Sequence, residues 1–74
     1  MLFIMNKSQF EYVVFERNGS YGIGVYDNSK LSYSIDDISV SELPVRKLAT
    51  RFNSNNLSVV HFRQAVEDYL VDLR

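Results

Sequence analysis

An α+β fold in the order β-β-β-α-α is predicted by three observations. Two runs rich in β-branched and aromatic residues flank Asn18-Gly19, a dipeptide suited to a two-residue hairpin turn that needs positive φ at both central positions. Leu31-Ser32-Tyr33-Ser34-Ile35 alternates apolar and polar residues, the pattern of a strand buried on one face. Further on, the apolar period changes to three and four residues in two separate stretches, the mark of amphipathic helices. The expected architecture is a three-stranded antiparallel meander with a helical hairpin on one face, forming a single domain over residues 1–74.

Leu2 to Met5 is a short apolar run and reads as an edge strand or an arm lying on the sheet. Gln9 to Arg17 and Tyr21 to Tyr26 are the two arms of the first hairpin. A two-residue turn fixes their register, with Glu16 opposite Tyr21, Val14 opposite Ile23 and Tyr12 opposite Val25. Opposed residues share a face, so Phe10, Tyr12, Val14, Tyr21, Ile23 and Val25 form the core face. On the other face Phe15 meets Gly22, Val13 meets Gly24 and Glu11 meets Tyr26, so that Phe15 and Val13 can lie across the bare glycines.

The second turn starts at Asp27. Bringing Leu31, Tyr33 and Ile35 to the core face requires a loop of three or five residues; the expectation is three, Asn28 to Lys30. Asp36-Asp37 then ends the meander, with Ile38 and Val40 turned inward. Ser41 is the expected cap of the first helix, because Pro44 then falls in the first turn, where its missing N–H costs no helical bond. Val45, Leu48, Ala49 and Phe52 make the buried stripe. Asn53-Ser54-Asn55-Asn56 stops the helix, since asparagine tolerates the left-handed conformation.

The second helix is read over Leu57 to Leu73, with Val59, Phe62, Val66, Tyr69, Leu70 and Leu73 on its buried stripe. Ser58 stands at the N-cap, and Leu57 and Phe62 are spaced for a hydrophobic staple. Val60 and Val71 lie off the stripe, as incidental surface residues or as a second contact face.

The chain has 74 residues, no cysteine, one histidine and a net charge of −1. A chain of this length hides a modest fraction of its surface, and without cysteine neither a disulfide nor a thiolate zinc site is available to staple it. Association with a second copy is then a natural source of buried area. The near-neutral charge gives no whole-chain attraction to a polyanion. The opening MLFIM is too short for a signal core or a membrane span, and a cytoplasmic location with no membrane contact is the default expectation.

Catalysis needs convergent groups, and nothing spaces Ser58, His61 and an aspartate for it; the reading is no enzyme and no cofactor or metal. Asp36 and Asp37 point to opposite sides of a strand and lack the following acidic loop of a calcium site. Three surfaces remain as candidates. The back of the sheet, with Val13, Phe15, Gly22, Gly24 and Tyr26, is an apolar strip that Leu2 to Ile4 or another chain should cover. Arg46, Lys47 and Arg51 form a basic patch on the first helix, few charges for a nucleic-acid groove. Glu67, Asp68 and Asp72 form an acidic patch near the end of the second, where Arg63 and Arg74 offset their repulsion.

Tyr21-Gly22-Ile23, Ile35-Asp36-Asp37-Ile38-Ser39, Val45…Leu48…Phe52-Asn53, Asn56-Leu57-Ser58…His61-Phe62 and Val66-Glu67-Asp68-Tyr69-Leu70 occur in this order. That succession resembles a family of small bacterial proteins in which a YGI strand and an I-x-DIS segment precede a helical hairpin ending in VVEDFL. Here Tyr69 takes the place of the aromatic residue in that ending, Ala65 that of its first valine, and Pro44 stands where acidic residues are usual. The resemblance implies a stand-alone β-then-α domain and carries no activity. The functional expectation is a non-enzymatic protein-interaction or regulatory domain, homodimeric. Its alternatives are a nucleic-acid binder using the basic patch and a small-ligand-binding or phage-type inhibitor module.

Overall fold

Asn18 and Gly19 both take positive φ, 54° and 80°, and join β1 (Phe10–Arg17) to β2 (Ser20–Asp27). The structure, a computed structural model, describes residues 10–73; the expectations for Leu2 to Met5 and for Arg74 fall outside them. The register of this hairpin is the one read from the turn, with Tyr12 opposite Val25, Val14 opposite Ile23 and Phe15 opposite Gly22. β3 (Lys30–Ser39) pairs antiparallel with β2 on its other side, giving the order β1-β2-β3. Two helices follow, α1 (Glu42–Ser54) and α2 (Phe62–Asp72), the latter entered through a single 3-10 turn over Val59–His61.

The second turn departs from expectation. Asn28 and Ser29 both take positive φ, 53° and 72°, so the loop has two residues and Asp27 pairs with Lys30. Tyr26 then faces Leu31, and the register slips before Val25 meets Tyr33. A bulge thus restores the pairing that a three-residue loop was expected to supply. Its consequence is that Tyr33 and Ile35 keep the core side, whereas Leu31 goes to the back of the sheet and is 57% exposed.

A second irregularity lies further along. Ile23 faces Ile35 but Tyr21 faces Ser39, with Asp37 at φ 59° between them. The extra residues form a bulge that turns Ile38 into the core, where it is buried. Asp36-Asp37 therefore does not end the strand, which runs on to Ser39. Val40, expected inside, is exposed because the chain leaves the sheet there for α1.

α1 begins after Ser41 as the position of Pro44 requires, although the Ser41 hydroxyl makes no capping bond. Val45, Leu48, Ala49 and Phe52 are all buried. The helix ends at the asparagine run, where Asn56 takes φ 53°. Ser58 likewise precedes its 3-10 turn without a side-chain cap, its carbonyl accepting from the His61 N–H at 3.0 Å. In α2, Phe62 and Val66 are fully packed and Tyr69 and Leu70 half-buried, but Leu73 lies at the frayed end and is 63% exposed. Val60 and Val71 are exposed, as their positions off the stripe predict.

The core forms between the sheet and the two helices. Tyr12, Ile23, Val25 and Ile38 from the strands meet the α1 stripe and the Phe62 and Val66 side chains of α2. At its centre Phe62 receives three rings edge-on, from Tyr12 at 5.2 Å, Phe52 at 6.0 Å and Tyr33 at 6.0 Å between centroids. Such edge-to-face contacts add to the burial of each ring.

Candidate interaction faces

Both helices pack on one side of the sheet, so among the described residues the other side is formed by β1, β2 and β3. Its alternating positions bring Val13, Phe15, Tyr26 and the two glycines Gly22 and Gly24 together, as expected, and the first bulge adds Leu31. Val13, Phe15, Arg17, Gly24, Tyr26, Leu31 and Ser34 line a shallow depression of about 140 Å³.

Phe15 lies over Gly22: a Cβ built there would stand 2.8 Å from Phe15 Cζ, 2.6 Å from Asp36 Cα and closer still to the Ile35 carbonyl oxygen. Gly22 is thus required by the approach of the β3 backbone as well as by the ring. Over Gly24 the nearest side chain is Leu31, at 3.2 Å, and not Val13. Leu31 takes that place because the bulge turns it to this face.

The rim of the depression is charged. The Arg17 guanidinium lies 5.8 Å from the Phe15 ring centroid and 3.2 Å from an Asp36 carboxylate oxygen. Arg17 was not among the residues singled out in the sequence, since its meeting with Asp36 spans two strands and depends on the bulged register.

Of the basic residues of α1, Arg46 and Arg51 border different grooves, while Lys47 lies one turn before Arg51 on the exposed face. Arg46 pairs with Glu42 one turn earlier and lies beside β1, in a groove with Glu11, Tyr12 and Asn53. Arg51 lies on the other side of the helix, in a groove of about 300 Å³ between α1 and α2 that also holds Asp68 and Asp72. A separation of five residues turns a side chain well around a helix of 3.6 residues per turn, which divides the two arginines.

The acidic residues are divided in the same way. Glu67 faces the β3 side, 3.5 Å from Arg63, and Asp68 and Asp72 face Arg51 across the groove between the helices. Asp68 also accepts a 2.9 Å hydrogen bond from the Gln64 amide. His61 is exposed. Among the described residues no three metal-ligating side chains gather, and no helix is long and apolar enough to cross a membrane.

A further groove, of about 340 Å³, runs between β3 and α2, with Tyr33, Ile35, Val66 and Leu70 at its sides and Arg63 and Glu67 at its rim. Sequence periodicity could not disclose it, because it depends on the distance at which α2 stands from the strand.

No curated protein and no solved structure matches the chain. A family model does, over residues 3–72, which takes in all three strands and both helices. The chain belongs to that family, the family of unknown function DUF6514.

Proposed function

We propose that the chain is a non-catalytic protein-interaction domain that binds a second copy of itself through the back face of the sheet. The observation that carries this reading is the apolar depression opposite the helices, in which Leu31 is 57% and Val13 39% exposed beside Phe15 and Tyr26. Burying such a strip removes apolar surface from water at roughly 25 cal/mol per Å².

A second copy suits the charges at the ends of this face. Glu11 and Arg17 lie on the back of β1, near its two ends, roughly 20 Å apart at the rise of a strand. A two-fold axis across the strands lays β1 antiparallel over its copy. Glu11 of one protomer then meets Arg17 of the other at both ends, with Val13 and Phe15 between them. Isologous contacts of this kind close after two subunits. The net charge of −1 opposes the association little.

Sedimentation equilibrium on the full chain, across a concentration series, tests the reading. The expected result is a dimer that Phe15→Asp converts into a folded monomer. A parent chain that stays monomeric throughout overturns it. Charge reversal at both ends, Glu11→Arg with Arg17→Glu, is expected to restore association that either single change weakens.

A further inference from the structure

We infer that the free edge of β3, with α2 beside it, is a binding site for an extended peptide segment of the pattern apolar-x-acidic, received as an additional antiparallel strand. The inference concerns a different surface from the back face and does not rest on the dimer.

The hydrogen-bonding phase of the sheet sets the site. Tyr12 directs both its backbone N–H and C=O at the Asn53 amide, away from β2. Phase alternates along and across an antiparallel sheet, so Val25, opposite Tyr12, directs its groups toward β3, where it meets Tyr33. Ser34, the next residue, is left with its N–H and C=O directed outward. Among the described residues no strand lies beyond β3. At β1 a side-chain amide holds the outward groups of Tyr12, although Val14 and Glu16 share that phase, whereas at β3 the outward groups of Ser34 face the groove along α2.

An extended segment meets both features of this edge. Its backbone supplies the donor and acceptor that Ser34 requires, and its alternate side chains enter the groove between strand and helix. Adding a strand to an exposed edge is a general mode of peptide recognition, in which backbone bonds give affinity and the groove gives specificity. The register slips on either side of the Tyr33–Ile35 stretch limit the regular edge to a few residues. The site thus suits a short segment and does not template an open-ended sheet.

The chemistry of the groove sets the pattern. In an antiparallel added strand, the residue across from Ile35 faces Val66 and Leu70, an apolar wall. Two residues later, the residue across from Tyr33 lies beside Arg63, whose guanidinium is 3.3 Å from the Tyr33 hydroxyl and 3.5 Å from Glu67. A guanidinium has five N–H donors, so those two contacts leave donors for a carboxylate.

The test is a titration of the isotopically labelled full chain with the blocked peptide Thr-Thr-Ile-Thr-Glu-Thr-Thr, read by amide chemical shifts and hydrogen exchange. Shifts at Tyr33 to Asp36 and along α2, with slowed exchange at the Ser34 amide, are expected. N-methylation of the threonine between isoleucine and glutamate removes the donor to Ser34 and is expected to abolish binding. Exchanging the peptide glutamate for lysine is expected to weaken binding about threefold, the size of an exposed ion pair, and Arg63→Glu to invert that preference. Phe15→Asp is expected to bind the peptide as the parent does. An unshifted Ser34 amide at millimolar peptide, equal binding of the N-methylated peptide, or loss of binding in Phe15→Asp overturns the proposal.

Discussion

Asn53 acts as a strand for Tyr12. Its Oδ1 accepts from the Tyr12 N–H at 2.8 Å and its Nδ2 donates to the Tyr12 carbonyl at 2.9 Å. One side-chain amide thus provides the pair of bonds that a neighbouring strand would supply, and it does so from the last turn of α1. The same tyrosine donates its hydroxyl to the Leu57 carbonyl at 2.7 Å and packs its ring against both Phe52 and Phe62. β1, the end of α1 and the link to α2 are therefore held at one residue, which aligns the helices over the sheet and satisfies the β1 edge at Tyr12.

Asn53→Ala is expected to lower stability by about 1–3 kcal/mol, because it leaves a backbone donor and acceptor of Tyr12 without partners. Urea denaturation of parent and variant measures this. An unchanged midpoint shows that water replaces the amide without cost.

Tyr12→Phe keeps the ring contacts and removes the bond to Leu57. The expected loss is about 0.5–1.5 kcal/mol at neutral pH. The variant also changes the alkaline limb of the stability curve. Burial raises the Tyr12 phenol above its ordinary value of 10.0. The native state then holds its proton where the unfolded chain has lost it, so stability is intact below pH 10 and falls as pH rises toward the folded value. Parent and Tyr12→Phe should accordingly converge in stability as pH rises above 10. A constant gap across that range contradicts the assignment.

Gly22→Ala and Gly24→Ala separate two roles for glycine in one strand. At Gly22 the added methyl meets the β3 backbone, 2.6 Å from Asp36 Cα, and the strand must move; about 1–3 kcal/mol of destabilisation is expected. At Gly24 it meets the end of the Leu31 side chain at 3.2 Å, which can turn aside. Thermal melts of the pair should show a large shift for the first and a small one for the second.

Phe62→Ala removes the ring that joins three others, and a loss of about 3–5 kcal/mol is expected. For a domain of this size that approaches the whole stability, so the variant should be largely unfolded by circular dichroism at 25 °C. Leu73→Ala, at the exposed end of the same helix, should melt within about 0.5 kcal/mol of the parent. Equal effects would place Leu73 in the core, contrary to its exposure.

Neighbouring residues along the chain determined the first hairpin and α1. Asn18-Gly19 can close only one register, and that register places every side chain of β1 and β2 on its face. The stripe of α1 and the place of its N-cap followed from periodicity and from the missing N–H of Pro44. These are properties of turn geometry and of a period of 3.6 residues, and both are local.

The tertiary structure decided what depends on distant partners. Two bulges, not loop length, reconcile β3 with β2, so Leu31 joins the back face and the strand continues past Asp36 and Asp37. Asn53 reads locally as a helix stop, but its amide is engaged 41 residues away. Arg46 and Arg51 are close in sequence and end in different grooves, while Arg51 comes to share one with Asp68 and Asp72. Side-chain period is short-range, whereas a bulge, a side chain that completes a strand edge and a groove between elements are set by how surfaces meet once the core has closed.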